Sequence, residues 1–252
     1  MPAPPQRLQD GDLHAGRGCF ATTHWSVVLA AGDDSSPSAR AALEQLCRTY
    51  WYPLYAYARR RGHGAHDAED LVQGFFARLI EKEVLRDLER DAGHFRSFLL
   101  TCFNRFVGDE QDRARRVKRG GGQEIISLDA QTAEERYRLE PADLLDPEKI
   151  FERRWALTVL EQVLARLKTN LETEGKGQLF EHLQALVVGE PGAARQSEVA
   201  AHLGLSEGAV AVTVHRLRQS YRSLLREVIA QTVQRPEEVE DEMRHLLAVL
   251  RG

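Results

Sequence analysis

The chain has 252 residues, of which 42% are hydrophobic and 29% are charged, and its formal net charge is -4. This slightly acidic balance excludes binding to nucleic acid through overall charge, so any DNA contact must come from a local basic patch. The sequence has no apolar run of the roughly 18 residues that a transmembrane helix requires, and its start lacks the pattern of a signal peptide. We therefore expect a cytoplasmic protein that does not associate with a membrane.

Helical periodicity, interrupted by Gly and Pro, predicts an all-α fold of two small helical domains joined by a flexible linker. No stretch alternates apolar and polar residues as a half-buried strand would. The predicted segments are an N-terminal tail with a short helix over 1–38, a first domain over 39–119, a linker over 120–146, a second domain over 147–234 and an acidic C-terminal helix over 235–252. The last helix has one apolar face, which suits packing on the body of the protein or on a partner.

The first domain opens with two predicted helices. Pro53 is expected to interrupt or kink the first of them, because proline lacks the amide hydrogen that a helix interior needs. The second helix is predicted to have Asp67 as its cap, with Glu69 and Asp70 in the positive first turn.

The third helix of this domain starts at Phe95 and keeps a regular three-four spacing of apolar residues as far as Val107. Its end is basic, and the span from 105 to 119 contains Arg105, Arg113, Arg115, Arg116, Lys118 and Arg119. The patch suits binding to phosphates. It equally suits a solvated helix end, where basic residues are favoured by the negative C-terminus, and charge alone slightly favours this second interpretation.

The second domain contains a predicted helix-turn-helix over residues 197–218. Ser197 is expected to cap a short helix, and Gly204 to end it in the left-handed conformation that glycine adopts easily. Ser206 is then placed to cap a second helix, with Glu207 in the first turn. An Asp-Pro pair at residues 146 and 147 predicts the start of the helix that opens this domain.

The second helix of this motif has two distinct faces. An apolar stripe is expected to pack inward and consists of Val210, Val214, Leu217, Tyr221 and Leu224. The opposite face is polar and basic, with Thr213, His215, Arg216, Arg218 and Arg222. This geometry fits the major groove of DNA, although an ordinary helical hairpin would produce the same pattern.

No pattern in the chain predicts an enzyme. Residues 63–67 read HGAHD, but they lie in a glycine-rich turn without a fourth ligand, so we predict no metal site. Glu69 and Asp70 are neighbours on a helix and diverge by about 100°, which does not suit a catalytic pair. Phosphate-binding loops and nucleophile motifs are absent from the sequence. We therefore expect no catalytic residues and no cofactor.

Taken in order, the motifs resemble those of bacterial RNA polymerase sigma factors. Asp67-Ala-Glu-Asp-Leu-Val-Gln with Phe75-Phe76-Ala-Arg-Leu is similar to the start of their region two. Phe95-Arg-Ser-Phe-Leu-Leu-Thr is similar to the promoter-reading helix of that region, and the helix-turn-helix resembles region four. Only these two regions are present, as in the extracytoplasmic-function (ECF) group of the sigma-70 superfamily.

The resemblance implies a protein that binds core RNA polymerase, recognises promoter DNA and promotes transcription initiation. Contact with the clamp helices of the largest polymerase subunit is implied for Asp67, Glu69, Asp70 and Gln73. Contact with the downstream promoter element is implied for Arg105, Arg113, Arg116, Lys118 and Arg119. Residues 83–94 would capture a flipped base. Contact with the upstream element is implied for Ser206, Glu207, Gly208, Ala211, Thr213, His215, Arg216 and Arg218. An anti-sigma factor is a further partner that the family context allows.

Three positions depart from the family pattern. Gly74 stands where an acidic residue is usual, and Arg105 stands where Asn is frequent, with Asn104 directly before it. Ala211 stands where many relatives carry Lys in the recognition helix. An alternative function is a stand-alone helix-turn-helix regulator that acts as a dimer on operator DNA.

Overall fold

The computed structural model describes residues 37–80, 94–116, 130–139, 146–189, 196–233 and 235–251. In these ranges the helices are α1 (Pro37–Arg60), α2 (Ala65–Ile80), α3 (Phe95–Arg116), α4 (Ala130–Arg138), α5 (Pro147–Thr173), α6 (Gly177–Val188), α7 (Gln196–Leu203), α8 (Glu207–Ala230) and α9 (Val239–Arg251), with a 3-10 turn at Pro236–Glu238 before α9. No strand occurs in the described ranges, so the all-α prediction is confirmed. The predicted N-terminal helix and the predicted base-capturing loop lie essentially outside these ranges.

The helix starts agree with the sequence prediction at α5 but not at α2 or α7. Asp146 caps α5, because its side chain accepts a hydrogen bond of 2.8 Å from the amide of Lys149. The prediction of Asp67 as a cap is wrong, since α2 begins at Ala65 and the amide of Ala68 already bonds to the carbonyl of Gly64. The capping prediction for Ser197 is also wrong, because α7 starts one residue earlier.

Pro53 lies inside α1, which continues through it to Arg60, so the predicted interruption is wrong. Every residue from 52 to 58 is buried. The apolar burial of this stretch on both sides of the proline therefore outweighs the cost of one missing backbone hydrogen bond.

The core is built around the contact between α1 and α5, which run along each other. Tyr50 of α1 stacks on Phe151 of α5, with ring centroids 6.5 Å apart. Farther along, Gln45 donates a 3.0 Å hydrogen bond to Gln162. Buried apolar side chains from all nine helices of the described part form one connected cluster that spans the two predicted domains. The division into two domains stays a prediction.

A helix lies within the segment that the sequence predicts as a flexible linker. The carboxylate of Glu134 on α4 accepts hydrogen bonds from the Tyr55 hydroxyl at 2.7 Å and from Arg59 at 3.0 Å, both on α1. Burial opposes the ionisation of this carboxyl, but the bonds from Tyr55 and Arg59 outweigh it and lower the pKa of Glu134. Residues 130–138 are therefore docked on the first domain.

The C-terminal helix packs back on the body of the protein, against α5 and α8. Its residue Leu246 is completely buried. Among the helices that the structure describes, none is long and apolar enough to cross a bilayer.

Candidate nucleic-acid interface

The turn between α7 and α8 is built by local hydrogen bonds. The amide of Leu205 donates to the carbonyl of Ala200 at 2.9 Å, and the amide of Gly204 donates to the carbonyl of Ala201 at 3.3 Å. Gly204 has a φ of 64°, in the left-handed region, as the sequence predicts. Ser206 caps α8, since its hydroxyl accepts from the amide of Ala209 at 3.2 Å. A helix-turn-helix with a fixed turn is therefore present.

One face of α8 is anchored along its whole length, and the buried residues are Val210, Val214, Leu217, Leu224, Leu225 and Ile229. The other face is exposed, including Ser206, Glu207, Gly208, Ala211, His215, Arg216 and Arg218. Thr213 is only half-exposed, and its hydroxyl donates to the carbonyl of Ala209 at 2.8 Å. Most of the polar residues predicted on this helix are thus exposed to solvent.

Arg218 bonds to the protein itself. Its Nη2 donates to the carbonyl of Leu186 at 2.7 Å, and its Nε donates to that of Val187 at 3.3 Å. These carbonyls belong to the last turn of α6, where the negative end of the helix dipole favours a cation. Arg218 therefore fixes α8 against α6, whereas Arg216 and Arg222 are exposed.

Gln196 is a functional residue of this motif that the sequence interpretation missed. Its side-chain amide donates to the backbone carbonyl of Glu207 at 2.9 Å, which ties the start of α7 to the start of α8. A lone glutamine carries no spacing signal, so only the structure could reveal this contact.

The basic end of α3 is supported very differently. None of residues 108–113 is buried, although α3 remains helical to Arg116. Arg105 and Arg113 are exposed, and Arg113 pairs with Glu110 on the same helix at 2.7 Å. Lys118 and Arg119 lie outside the described residues.

Asn104 holds α3 against α1. Its Oδ1 accepts from the Tyr57 hydroxyl at 2.8 Å and from Nη1 of Arg61 at 2.8 Å. A side chain bound in this way is used for packing. The side chain of Asn104, which the resemblance to sigma factors singled out, therefore makes its contacts within the protein.

The acidic residues predicted at the start of α2 separate into two groups. Asp67 and Asp70 are exposed, and Asp70 lies 3.7 Å from His66. Glu69 is buried and accepts a 3.0 Å hydrogen bond from Gln73. Of these acidic residues, Asp67 and Asp70 therefore present carboxylates to solvent, while Glu69 and Gln73 bond to each other.

A groove of about 760 Å³ lies between α2 and α3, and its walls include Asp67, Asp70, Gly74, Arg78, Phe106 and Arg113. A Cβ atom at position 74 would come within 3.2 Å of the Phe106 ring, so glycine lets the two helices approach closely. Arg78 lies over the same ring, 5.4 Å from its centroid. The groove brings predicted polymerase-contacting residues and a predicted DNA-contacting residue to one place.

The described ranges contain no group of three or more His, Cys, Asp or Glu side chains that could hold a metal ion. Cys102, which faces the core from α3, is buried, and this burial raises the pKa of its thiol to about 11. The thiol is therefore a packing group at neutral pH.

The all-α fold contains a capped helix-turn-helix, a motif that many DNA-binding proteins share. A family model described as ECF sigma factor matches residues 28–227, which is most of the chain. The chain therefore belongs to the ECF sigma factor family, a family of non-enzymatic DNA-binding proteins that act in transcription initiation. No curated protein and no solved structure matches it. Helix α9 lies beyond the matched range.

Proposed function

We propose that this chain binds core RNA polymerase, directs it to a promoter and promotes transcription initiation there. The observation that carries the proposal is the exposed polar face of α8, held in place by a capped turn on one side and a buried stripe on the other. A preformed helix of this kind enters a major groove without losing further backbone entropy on binding.

The upstream promoter element is read by the first half of α8. Glu207, Ala211, His215 and Arg216 face solvent there, together with Ser206 and Gly208 at the start of the helix. Side chains at these positions can reach base edges when the helix lies in the major groove. Arg218 acts as a positioning residue, because its bonds to α6 set the angle of α8.

The downstream element is held through phosphates by the basic end of α3. Arg105 and Arg113 supply exposed guanidinium groups, and Arg116, Lys118 and Arg119 continue the same basic run. Contacts of this type position a protein on DNA without reading sequence, and they make binding depend on salt. A chain of formal net charge -4 can bind DNA in this way because polymerase supplies much of the remaining affinity.

Core polymerase docks on the exposed start of α2. Asp67 and Asp70 point outward beside the groove, which suits a basic partner surface such as the clamp helices of the largest subunit. Glu69 and Gln73 shape this surface from within. An anti-sigma factor, a partner that the family implies, would compete for the same surfaces.

Run-off transcription with purified core polymerase tests the proposal. DNA bound to the protein in cells supplies the templates, and initiation from a defined site on them, dependent on the added chain, is expected. Tight binding to a palindrome by the protein alone, without polymerase, would instead identify a stand-alone regulator.

The docking surface is tested by Asp70→Ala, with Glu172→Ala on α5 as a control that removes another exposed carboxylate far from α2 in the sequence. We expect Asp70→Ala to weaken binding to core polymerase about fivefold to tenfold. The control should bind as the parent chain does. Equal binding by all three proteins would remove α2 from the docking surface.

A further inference from the structure

Charged side chains are buried where the C-terminal helix meets the rest of the molecule. Glu242 on α9 is 1% exposed, and Arg96 on α3 is 5% exposed. Nη1 of Arg96 donates to Oε1 of Glu242, and its Nε donates to Glu152 of α5 at 2.8 Å. Three helices that are distant in sequence thus meet in one ion-pair cluster.

Two histidines and a tryptophan complete this cluster. Nδ1 of His94 lies 3.0 Å from Oε2 of Glu242, at an angle that does not suit a hydrogen bond. Nε2 of His245 lies 2.8 Å from Oε2 of Glu152. The guanidinium of Arg96 covers the Trp155 ring, 5.0 Å from its centroid. We call His94, Arg96, Glu152, Glu242 and His245 the clasp.

The clasp makes the docking of α9 depend on the packing of the two predicted domains. A buried carboxylate is costly unless it is paired, and the partner of Glu242 is Arg96. That arginine belongs to the first predicted domain, whereas α9 follows the second. The helix can bury Glu242 only while the two predicted domains are packed together, and undocking α9 would in turn leave Arg96 without one of its two carboxylates.

The docked helix also places negative charge against the second half of α8, the helix whose first half is proposed to read DNA. Glu240 pairs with Arg226 of α8 at 2.7 Å, and this pair is exposed. Glu237 adds a further acidic group just before α9, whereas Asp241 pairs with Arg244 on α9 itself. Acidic groups beside a DNA-reading helix repel phosphates and neutralise a cation that would attract them.

We propose that α9 is an autoinhibitory helix that the clasp holds in its docked position. In the closed state the bond between Glu242 and Arg96 adds to the α1–α5 contact in holding the two promoter-reading units together; when α9 undocks, this support is lost, and the units separate more easily to engage DNA and polymerase. The inference rests on the proposed function, and it concerns a segment beyond the part of the chain that matches the ECF sigma factor family.

The test compares Glu242→Gln with Asp241→Asn in the full-length chain. Both variants remove one negative charge from the same turn, but residue 241 is 64% exposed whereas residue 242 is buried. Hydrogen exchange of the α9 backbone amides reports undocking, and promoter-complex formation at limiting core polymerase reports release. Circular dichroism checks that each variant is folded.

We expect Glu242→Gln to lower amide protection in α9 about tenfold and to raise promoter-complex formation by a similar factor. Asp241→Asn should change each quantity less than twofold. The proposal would be overturned if amide protection of α9 were unchanged in Glu242→Gln. It would also be overturned if protection were lost without any gain in promoter-complex formation.

The experiment also covers two cases, a Glu242→Gln variant that does not fold and a parent chain that does not initiate transcription. If Glu242→Gln fails to fold, Leu246→Ala loosens α9 without leaving a buried charge unpaired, and the same pair of changes is expected. If no protein initiates transcription, including the parent chain, the proposed function has failed. Hydrogen exchange then still decides whether Glu242 holds α9 in place.

Discussion

The two surfaces proposed to face DNA are constructed in opposite ways. Helix α8 has a buried residue at nearly every turn, a serine cap at its start and an arginine that ties it to α6. Residues 108–113 near the end of α3 include no buried residue, and their ion pairs include Arg113 with Glu110 and Asp109 with Arg78 of α2.

This difference indicates a division of labour. A helix that reads base sequence binds best when its side chains are already ordered, because ordering them on binding costs entropy and lowers the affinity for DNA. A phosphate contact needs charge more than geometry, so a helix end with little packing suffices. The anchored α8 and the weakly packed end of α3 fit these two tasks.

The largest effect is expected when the support of α8 is removed. Val210→Asp would bury an unpaired charge at a completely buried position, and we expect a loss of more than about 4 kcal/mol in the free energy of unfolding. Urea denaturation measures it. Val212→Asp, two residues along and 51% exposed, should change stability by less than about 0.5 kcal/mol. Similar losses in both variants would show that α8 is not anchored as described.

The basic end of α3 is expected to matter for DNA and not for folding. Replacing Arg113 and Arg116 by Ala should weaken promoter complexes roughly tenfold to a hundredfold, and reduce the slope of affinity against log salt by about 1.4 to 1.8. Titrations at several salt concentrations check this. Replacing the exposed Arg48 and Arg138 by Ala is the matched control for charge. An unchanged slope in the Arg113 and Arg116 variant would place both residues away from phosphates.

Removal of the cap of α8 should have an intermediate effect. Ser206→Ala leaves the amide of Ala209 without its side-chain partner, so we expect a loss of about 1 kcal/mol in stability. Ser206→Asp should restore it, because aspartate caps equally well and suits the positive helix start. Thermal denaturation separates the three proteins. Failure of the aspartate to restore stability would contradict the capping role.

The smallest change is expected from stiffening the basic end of α3. A Cβ atom at Gly108 would contact nothing within 4 Å, so Gly108→Ala should stabilise this helix by about 0.5–1 kcal/mol. Helicity measured by circular dichroism should rise slightly, and promoter complexes should form a little more tightly. A loss of promoter binding would show that this end must bend on DNA.

The sequence predicts the parts of this molecule that local chemistry determines. The cap at Ser206, the left-handed Gly204 and the Asp146 start of α5 each depend on neighbours within a few residues, and the structure confirms all three. The exposure of most polar residues of α8 follows from its periodicity, so it is likewise visible in the sequence.

Contacts between distant segments could not be predicted in the same way. The bonds from Arg218 to α6, from Asn104 to α1 and from Glu134 to α1 join residues that are between 31 and 79 positions apart. Nothing in their local patterns distinguishes them from solvated side chains. Two residues assigned by resemblance, Glu69 and Arg218, accordingly make contacts within the protein instead of pointing freely outward.

The docking of α4 has a consequence for how far the two halves of the chain can move apart. While Glu134 holds α4 on α1, only residues 139–146 connect that helix to α5, and a fully extended backbone of this length reaches at most about 28 Å. If α4 leaves α1 and unfolds, the connection grows to residues 117–146, with a contour length of roughly 100 Å. The docking of one short helix, to which Glu134, Arg136 and the buried Ala133 contribute, therefore limits how far the two halves of the chain can separate.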